Sequence, residues 1–335
     1  MNRMLIVVLL WWGGSLVAVP PWIDAVEELG LVELGDTFDH AKIDRLLGAE
    51  TMSDASEDHR RAVAVLVAIG AVDVSALSDA VRAEAQLARY QRSLSAPEEC
   101  VVVSLDDISA FMRLEALEGH EALRQDPALM ASLDAAIGEG VLTGYGLRPL
   151  RVSAASDPMR TLIYSHSSLP HVKQLVGLVA SEGLRGRVYL APKIAAFVFR
   201  EGWGERPEWI NELGPDVYVA QGPEMLVHFE FEQSGDRQHF DAIVERFAKK
   251  DSEDETGNLI RSWWQPFYYA ETAAEGFYEI SRVTLYGDTA EASLLMLSDR
   301  TKLVQSHFAG TSWQSETDSI WVNAPFYRFL QGDFK

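Results

Sequence analysis

Cysteine and basic charge are scarce in this 335-residue sequence. A single cysteine, Cys100, excludes an internal disulfide bond. Lysine and arginine number 29 against 50 aspartates and glutamates, which gives a formal net charge of −21. Because proteins bind nucleic acid largely by displacing counterions with basic side chains, this balance argues against nucleic acid as a partner. It argues equally against docking on an anionic membrane surface.

Short motifs that mark common cofactor and catalytic sites are also missing. No glycine-rich dinucleotide or phosphate-binding loop occurs where a strand meets a helix, and no G-x-S-x-G elbow appears. The sequence has no H-E-x-x-H and no paired C-x-x-C, and the acidic run 251–258 does not fit the spacing of a calcium loop. The sequence therefore predicts no metal site and leaves any cofactor unknown.

An apolar segment at the N-terminus, residues 1–19, predicts an export signal. Arg3 supplies one positive charge, and residues 4–19 contain no acidic side chain. The apolar run is short for a membrane-spanning helix, which needs about 20 residues. The predicted location is therefore periplasmic or secreted. An uncleaved membrane anchor formed by residues 4–19 is the main alternative, and an ordinary buried helix is a third.

Residues 26–150 are predicted to form a mainly helical region. Alanine and leucine at helical spacing favour helices over 59–72, 76–94 and 127–137. The run CVVVSL, residues 100–105, predicts one short buried strand. Glycine, serine and proline interrupt the periodicity over 138–158, which we interpret as a linker.

The second half, residues 158–335, is predicted to be an α/β domain. Twelve of the 14 phenylalanines lie beyond residue 190, and aromatic enrichment favours strands. Residues 225–232 alternate between apolar and polar side chains, which predicts a half-buried strand. A helix is predicted over 236–250 and another strand over 276–287. Residues 290–308 fit either a helix or two strands.

The segment Thr161–Pro192 is the most informative of the chain. It reads as a strand, a polar turn, an amphipathic helix and a second strand, which together predict one parallel βαβ unit. The predicted fold class is therefore α/β, with a mixed sheet that begins with this unit and follows a mainly helical N-terminal region.

The turn of this unit concentrates hydroxyl and imidazole groups. Ligands of open α/β sheets bind outside the carboxyl ends of the strands, and the free N–H groups of a helix N-terminus attract anions. We therefore predict that Ser165, Ser167, Ser168 and His171 bind a ligand and that His166 acts as a general acid or base. The structural alternative is that the serines cap the helix and the histidine fills the turn.

Lys193 follows the second strand. If the two strands are parallel neighbours, Lys193 falls at the same sheet edge as His166, where its ammonium group would neutralise a ligand phosphate or carboxylate. The alternative is an ordinary surface charge. The aromatic cluster 263–269 favours a core, with stacking on a sugar ring as its functional alternative.

The favoured function is the binding of a small polar or anionic ligand at the turn after residue 164. One alternative is an exported hydrolase or transferase that uses His166 as acid and base. Another is a non-catalytic interaction protein of the cell envelope. The sequence gives no signal for an oligomeric state. A membrane is expected as a partner only if the N-terminal segment, residues 4–19, stays uncleaved.

Overall fold

A computed structural model describes most of the chain between residues 22 and 333. The described residues are 22–69, 71–72, 74–78, 82–84, 87, 102–112, 114, 117, 119–149, 156–200, 206, 210–248, 257–260, 265–287 and 290–333. The predicted export signal, Cys100, most of the predicted helix 76–94 and Trp263 and Trp264 of the aromatic cluster lie outside them.

The described helices fall into an N-terminal group and a set interspersed with strands. In chain order they are α1 Trp22–Glu28, α2 Val32–Gly35, α3 His40–Leu47, α4 Glu57–Ala68, α5 Ser109–Met112, α6 His120–Leu123, α7 Pro127–Gly138, α8 Leu169–Ser181, α9 Asp236–Phe247, α10 Thr301–Phe308 and α11 Ala324–Leu330.

The described strands belong to one continuous sheet. They are β1 Val102–Ser104, β2 Gly144–Pro149, β3 Thr161–His166, β4 Gly186–Val198, β5 Asn211–Gly214, β6 Val217–Phe231, β7 Tyr268–Ala270, β8 Tyr278–Tyr286, β9 Ala290–Met296 and β10 Gln314–Val322.

Eight of these strands close into an antiparallel β-barrel. The order around the barrel is β4-β2-β9-β8-β10-β7-β3-β6, and β6 pairs with β4 to complete the ring. The closing ladder is long, running from Gly186 opposite Phe231 to Val198 opposite Val219. The short strands β1 and β5 are additional and pair with the edges of β4 and β6.

The predicted α/β fold with a parallel βαβ unit is wrong. Strand β3, helix α8 and strand β4 form where the sequence predicts them, but β3 does not pair with β4. Strand β6 lies between the two and runs antiparallel to both. The intervening helix suggests a crossover to a neighbouring parallel strand, whereas β3 pairs with residues of β6 that lie 59 to 69 positions away in the chain.

Alternation along each barrel strand separates an outer from an inner face. On β6, Met225, Val227 and Phe229 face outward into a core beneath the helices, as the pattern of 225–232 predicts. The opposite face is buried too: His228 is 1% exposed and Glu230 6% exposed. The sequence of β6 resembles that of a half-buried strand. The strand is nevertheless buried on both faces, because the sheet closes into a barrel.

Helices cover the barrel in two places. The N-terminal helices, α8 and α9 pack with the outer residues of β3, β4 and β6 in one core, which contains Phe229, Phe231 and Phe240. Helices α7 and α10 pack with the outer residues of β2, β8 and β9 in a second core. Burying one such phenylalanine stabilises the fold by about 1.5–3 kcal/mol.

Candidate functional site

The predicted turn is a compact, internally bonded structure. Ser168 caps α8: its Oγ accepts from the backbone N–H of His171 at 3.4 Å. The N–H of Ser168 donates to Nδ1 of His166 at 2.9 Å, so that this ring nitrogen carries no proton. Ser167 alone among the five predicted turn residues is exposed.

His166 and His171 stack on each other beneath the surface. Their ring centroids lie 3.9 Å apart with an interplanar angle of 15°. His171 Nδ1 donates to the carbonyl of Ile260 at 2.7 Å, and the hydroxyl of Tyr164 donates to Nε2 at 2.8 Å. Burial and the neighbouring His166 lower the pKa of His171 to about 3, so this imidazole is neutral at physiological pH.

Strand β3 divides the predicted site residues between two faces of the barrel wall. His166 points outward with Tyr164, toward α8, whereas Ser165 lies on the inner face. Lys193 joins Ser165 there: its Nζ donates to Ser165 Oγ at 2.7 Å and forms an ion pair with Glu224 at 3.2 Å. The structure thus brings Ser165 and Lys193 together and separates them from His166, Ser168 and His171.

The inner face of the barrel encloses a cavity of about 190 Å³. Its space comes from three small inward residues at one level of three adjacent strands. Gly146 of β2 lies opposite Ala195 of β4 on one side and Ser293 of β9 on the other. A Cβ on Gly146 would lie 2.8 Å from Cε of Lys193, so the glycine makes room for the lysine side chain.

Helix α11 closes one end of this cavity. Phe326, Phe329 and Leu330 of the helix contribute to the cavity wall. The ring of Phe326 stacks on Phe267 with centroids 4.9 Å apart. At the start of the helix, Nδ2 of Asn323 donates to the carbonyl of Pro266 at 2.9 Å, which ties the helix to the segment before β7.

A second charged pair lies in the cavity wall. Arg148 and Glu291 face each other directly on β2 and β9, are each 5% exposed, and form an ion pair between Nε and Oε1. Nη1 of Arg148 has no hydrogen-bond partner among the described residues, and neither has Oγ of Ser293. Buried polar atoms are normally paired, so these two exceptions need a physical reason.

His228 lies deeper inside the barrel. Its Nδ1 is 3.2 Å from the hydroxyl of Ser156, and its Nε2 has no hydrogen-bond partner in the described part of the chain. Burial, together with the positive charge of Arg148, lowers the pKa of His228 to about 4. The ring is therefore neutral, and a second charge close to Arg148 is avoided.

Sequence reasoning missed the residues that shape the cavity. Gly146 and Arg148 lie in the segment interpreted as a linker, yet Gly144–Pro149 is a strand. One pattern in the sequence could have indicated this strand, because Gly144, Gly146 and Arg148 alternate with the apolar Tyr145 and Leu147. Ser293 and Glu291 lie in a segment that fitted either a helix or strands; it is a strand followed by the helix α10.

Two further properties of the described residues bear on the site. They contain no group of three or more histidine, cysteine, aspartate or glutamate side chains arranged to hold a metal ion. In the same part of the chain, every helix is too short or too polar to span a bilayer.

Comparison with known proteins gives no relative from which to transfer a function: no family model matches the chain, and no curated protein or solved structure resembles it significantly.

Proposed function

We propose that this protein is a binding protein that encloses a small, largely apolar molecule inside its barrel. The observation that carries the proposal is the row of small inward residues, Gly146, Ala195 and Ser293, which leaves a cavity where larger side chains would fill the barrel. Barrels of eight strands are wide enough to be filled by side chains or to hold one small ligand.

The size of the cavity limits the ligand. A cavity of roughly 150 Å³ accommodates benzene, and this cavity measures about 190 Å³. A ligand of about ten non-hydrogen atoms is therefore the expected size.

The chemistry of the wall supports an apolar body with a polar end. Leu226, Leu295, Tyr269 and the phenylalanines of α11 supply apolar surface, and charged side chains occupy a few positions among them. Ligand pockets typically combine a mostly apolar lining with a few precisely placed polar groups.

A binding role is favoured over the exported hydrolase or transferase. His166, the acid or base of that alternative, lies on the outer side of the wall and outside the cavity lining. Each cationic side chain of β2 and β4 in the cavity, Arg148 and Lys193, is opposed by a carboxylate. Ser165 is hydrogen-bonded to Lys193, but Nζ of the lysine donates to Oγ and is also ion-paired with Glu224, so the two are not arranged as a nucleophile with its general base.

Export remains part of the proposal, as a prediction from residues 1–19 alone. Cell fractionation with N-terminal sequencing of the purified protein tests it. A full-length N-terminus in the cytosol would contradict both the periplasmic or secreted location and the membrane anchor.

Small-molecule probes and a variant with a larger side chain in the cavity test the binding function. We expect 1-octanol, octanoate, 2-phenylethanol or phenylacetate to raise the melting temperature of the protein, because a ligand that binds only the folded state stabilises it. Ala195→Leu places a larger side chain in the cavity and is expected to weaken binding about tenfold or more, measured by isothermal titration calorimetry.

The matched control is Ala128→Leu, which makes the same change at an exposed position of α7. It is expected to leave probe binding unchanged. Failure of all four probes to bind the unaltered protein, or equal binding by the two variants, would contradict the proposed function.

A further inference from the structure

Two buried donors without a partner among the described residues lie on one side of the cavity. Arg148 and Ser293 both line it, and both carry a buried donor, Nη1 and Oγ, that no described residue accepts from. Leaving such a donor unpaired destabilises the folded protein, because no hydrogen bond compensates for the loss of water around it. Both donor atoms are buried, and both belong to side chains that border the cavity, where an apolar side chain would leave no donor unpaired.

The positions of these donors favour one acceptor group for both. Gly146 lies opposite Ser293 and Arg148 lies opposite Glu291, so Arg148 and Ser293 are diagonal neighbours on the inner face of adjacent strands. Diagonal Cβ atoms in such a ladder are about 7–8 Å apart. An arginine side chain is long enough to span much of that separation, and the space above Gly146 is taken by the side chain of Lys193.

The charges around the cavity restrict the identity of the acceptor. A guanidinium group has planar, fork-like donors that match a carboxylate. Glu291 and Glu224 already oppose Arg148 and Lys193, respectively. Little positive charge is left for a dianion such as a phosphate, and the three cationic side chains of the wall, Arg148, Lys193 and Arg328, disfavour a positively charged head.

We propose that the barrel cavity selects a molecule with a carboxylate head, which accepts hydrogen bonds from Nη1 of Arg148 and Oγ of Ser293, and an apolar tail. This inference rests on the proposed function, because it names the class of ligand that the same cavity takes. Leu226, Leu295 and Phe326 would contact the tail. Ser165 and Lys193 would then form the adjacent polar wall, held in place by Glu224.

Matched pairs of probes separate the head from the tail. Octanoate and 1-octanol share a tail but differ in charge, and phenylacetate and 2-phenylethanol form a second such pair. We expect at least one carboxylate to bind the full chain about tenfold or more tightly than its alcohol in calorimetric titrations. Equal or tighter binding of both alcohols would overturn the carboxylate inference while leaving the binding function intact. Failure of all four probes would overturn both.

Two variants test the assigned residues. Ser293→Ala is expected to weaken carboxylate binding about fivefold and leave alcohol binding unchanged, whereas the control Ser306→Ala, at an exposed position of α10, changes neither. The double variant Arg148→Gln with Glu291→Gln removes the ion pair as a unit, so that no lone charge stays buried. We expect it to abolish the preference for the carboxylate.

Retention of that preference in both the Ser293→Ala variant and the double variant would overturn the assignment. Circular dichroism identifies a variant that has not folded. If the double variant does not fold, Ser293→Ala and the comparison of carboxylate with alcohol in the unaltered protein still decide the question.

Discussion

Strand β3 presents Tyr164 and His166 to the helices outside the barrel and Ile163 and Ser165 to its interior. Outside, the Tyr164 hydroxyl, both nitrogens of His171 and the Ile260 carbonyl form a chain of hydrogen bonds. Inside, Arg148 and Ser293 keep donors without described partners beside a cavity. The two faces of the barrel wall thus differ: the polar groups of the outer cluster satisfy one another, whereas two donors on the inner face have no partner among the described residues.

Under the proposed function, the satisfied polar groups stabilise the fold and the unsatisfied donors bind the ligand. A satisfied buried network rigidifies the fold, whereas an incompletely satisfied one is costly unless something else completes it. Three perturbations test whether the two faces differ in this way.

The largest effect is expected inside the barrel, at the ion pair. Arg148→Met alone leaves Glu291 as an uncompensated buried charge, and it should lower the free energy of unfolding by about 3–5 kcal/mol. The double variant Arg148→Met with Glu291→Met should recover most of that loss, because no charge is then buried. Urea unfolding of both variants measures the difference. Equal destabilisation by the single and double variants would show that the charges are not coupled.

Acid should destabilise the outer cluster by a smaller amount. The pKa of His171 is about 3 in the folded protein, below its ordinary value of 6.5. As the pH falls below 6.5, the unfolded chain takes up this proton first, so stability present at neutral pH is lost. Between about pH 7.5 and about pH 5, His171 alone should contribute a loss of about 2 kcal/mol.

Urea unfolding at the two pH values measures that loss, and His171→Asn isolates it. The variant should show a pH dependence weaker by about 2 kcal/mol, while His228, whose pKa is also lowered, keeps its own contribution. An unchanged pH dependence would mean that His171 is not held neutral in the fold.

The smallest effects come from neighbouring residues of β3. Tyr164→Phe removes the donor to His171 Nε2 and should cost about 1–2 kcal/mol of stability, with no change in probe binding. Ser165→Ala should cost less than about 1 kcal/mol, because Lys193 keeps its ion pair with Glu224. The Ser165→Ala variant should instead bind the probes more weakly. Thermal unfolding and calorimetry of both variants measure this contrast, and a reversed pattern would contradict it.

The local features of the site were predictable from the sequence. Ser168 caps α8 as expected, and the predicted buried stripe of that helix, including Val172, Leu175 and Val179, is confirmed. Lys193 was predicted to lie at the same sheet edge as His166, but its Nζ contacts Ser165 on the opposite face of β3. This contact arises across the intervening strand β6 and not from direct pairing of β3 with β4, so the expected sheet edge is not there.

The sequence by itself determined much of the local structure, including the helices α7, α8 and α9, the strands β3 and β8, and the alternation of side chains along β6. Those properties depend on neighbours a few residues apart, through backbone conformation, capping and periodic burial. The tertiary structure alone decided that β6 separates β3 from β4, that the sheet closes into a barrel, and that Gly146, Ala195 and Ser293 meet at one level. These features come from pairings between distant segments, whose register no local pattern specifies, and they create both the cavity and the proposed ligand site.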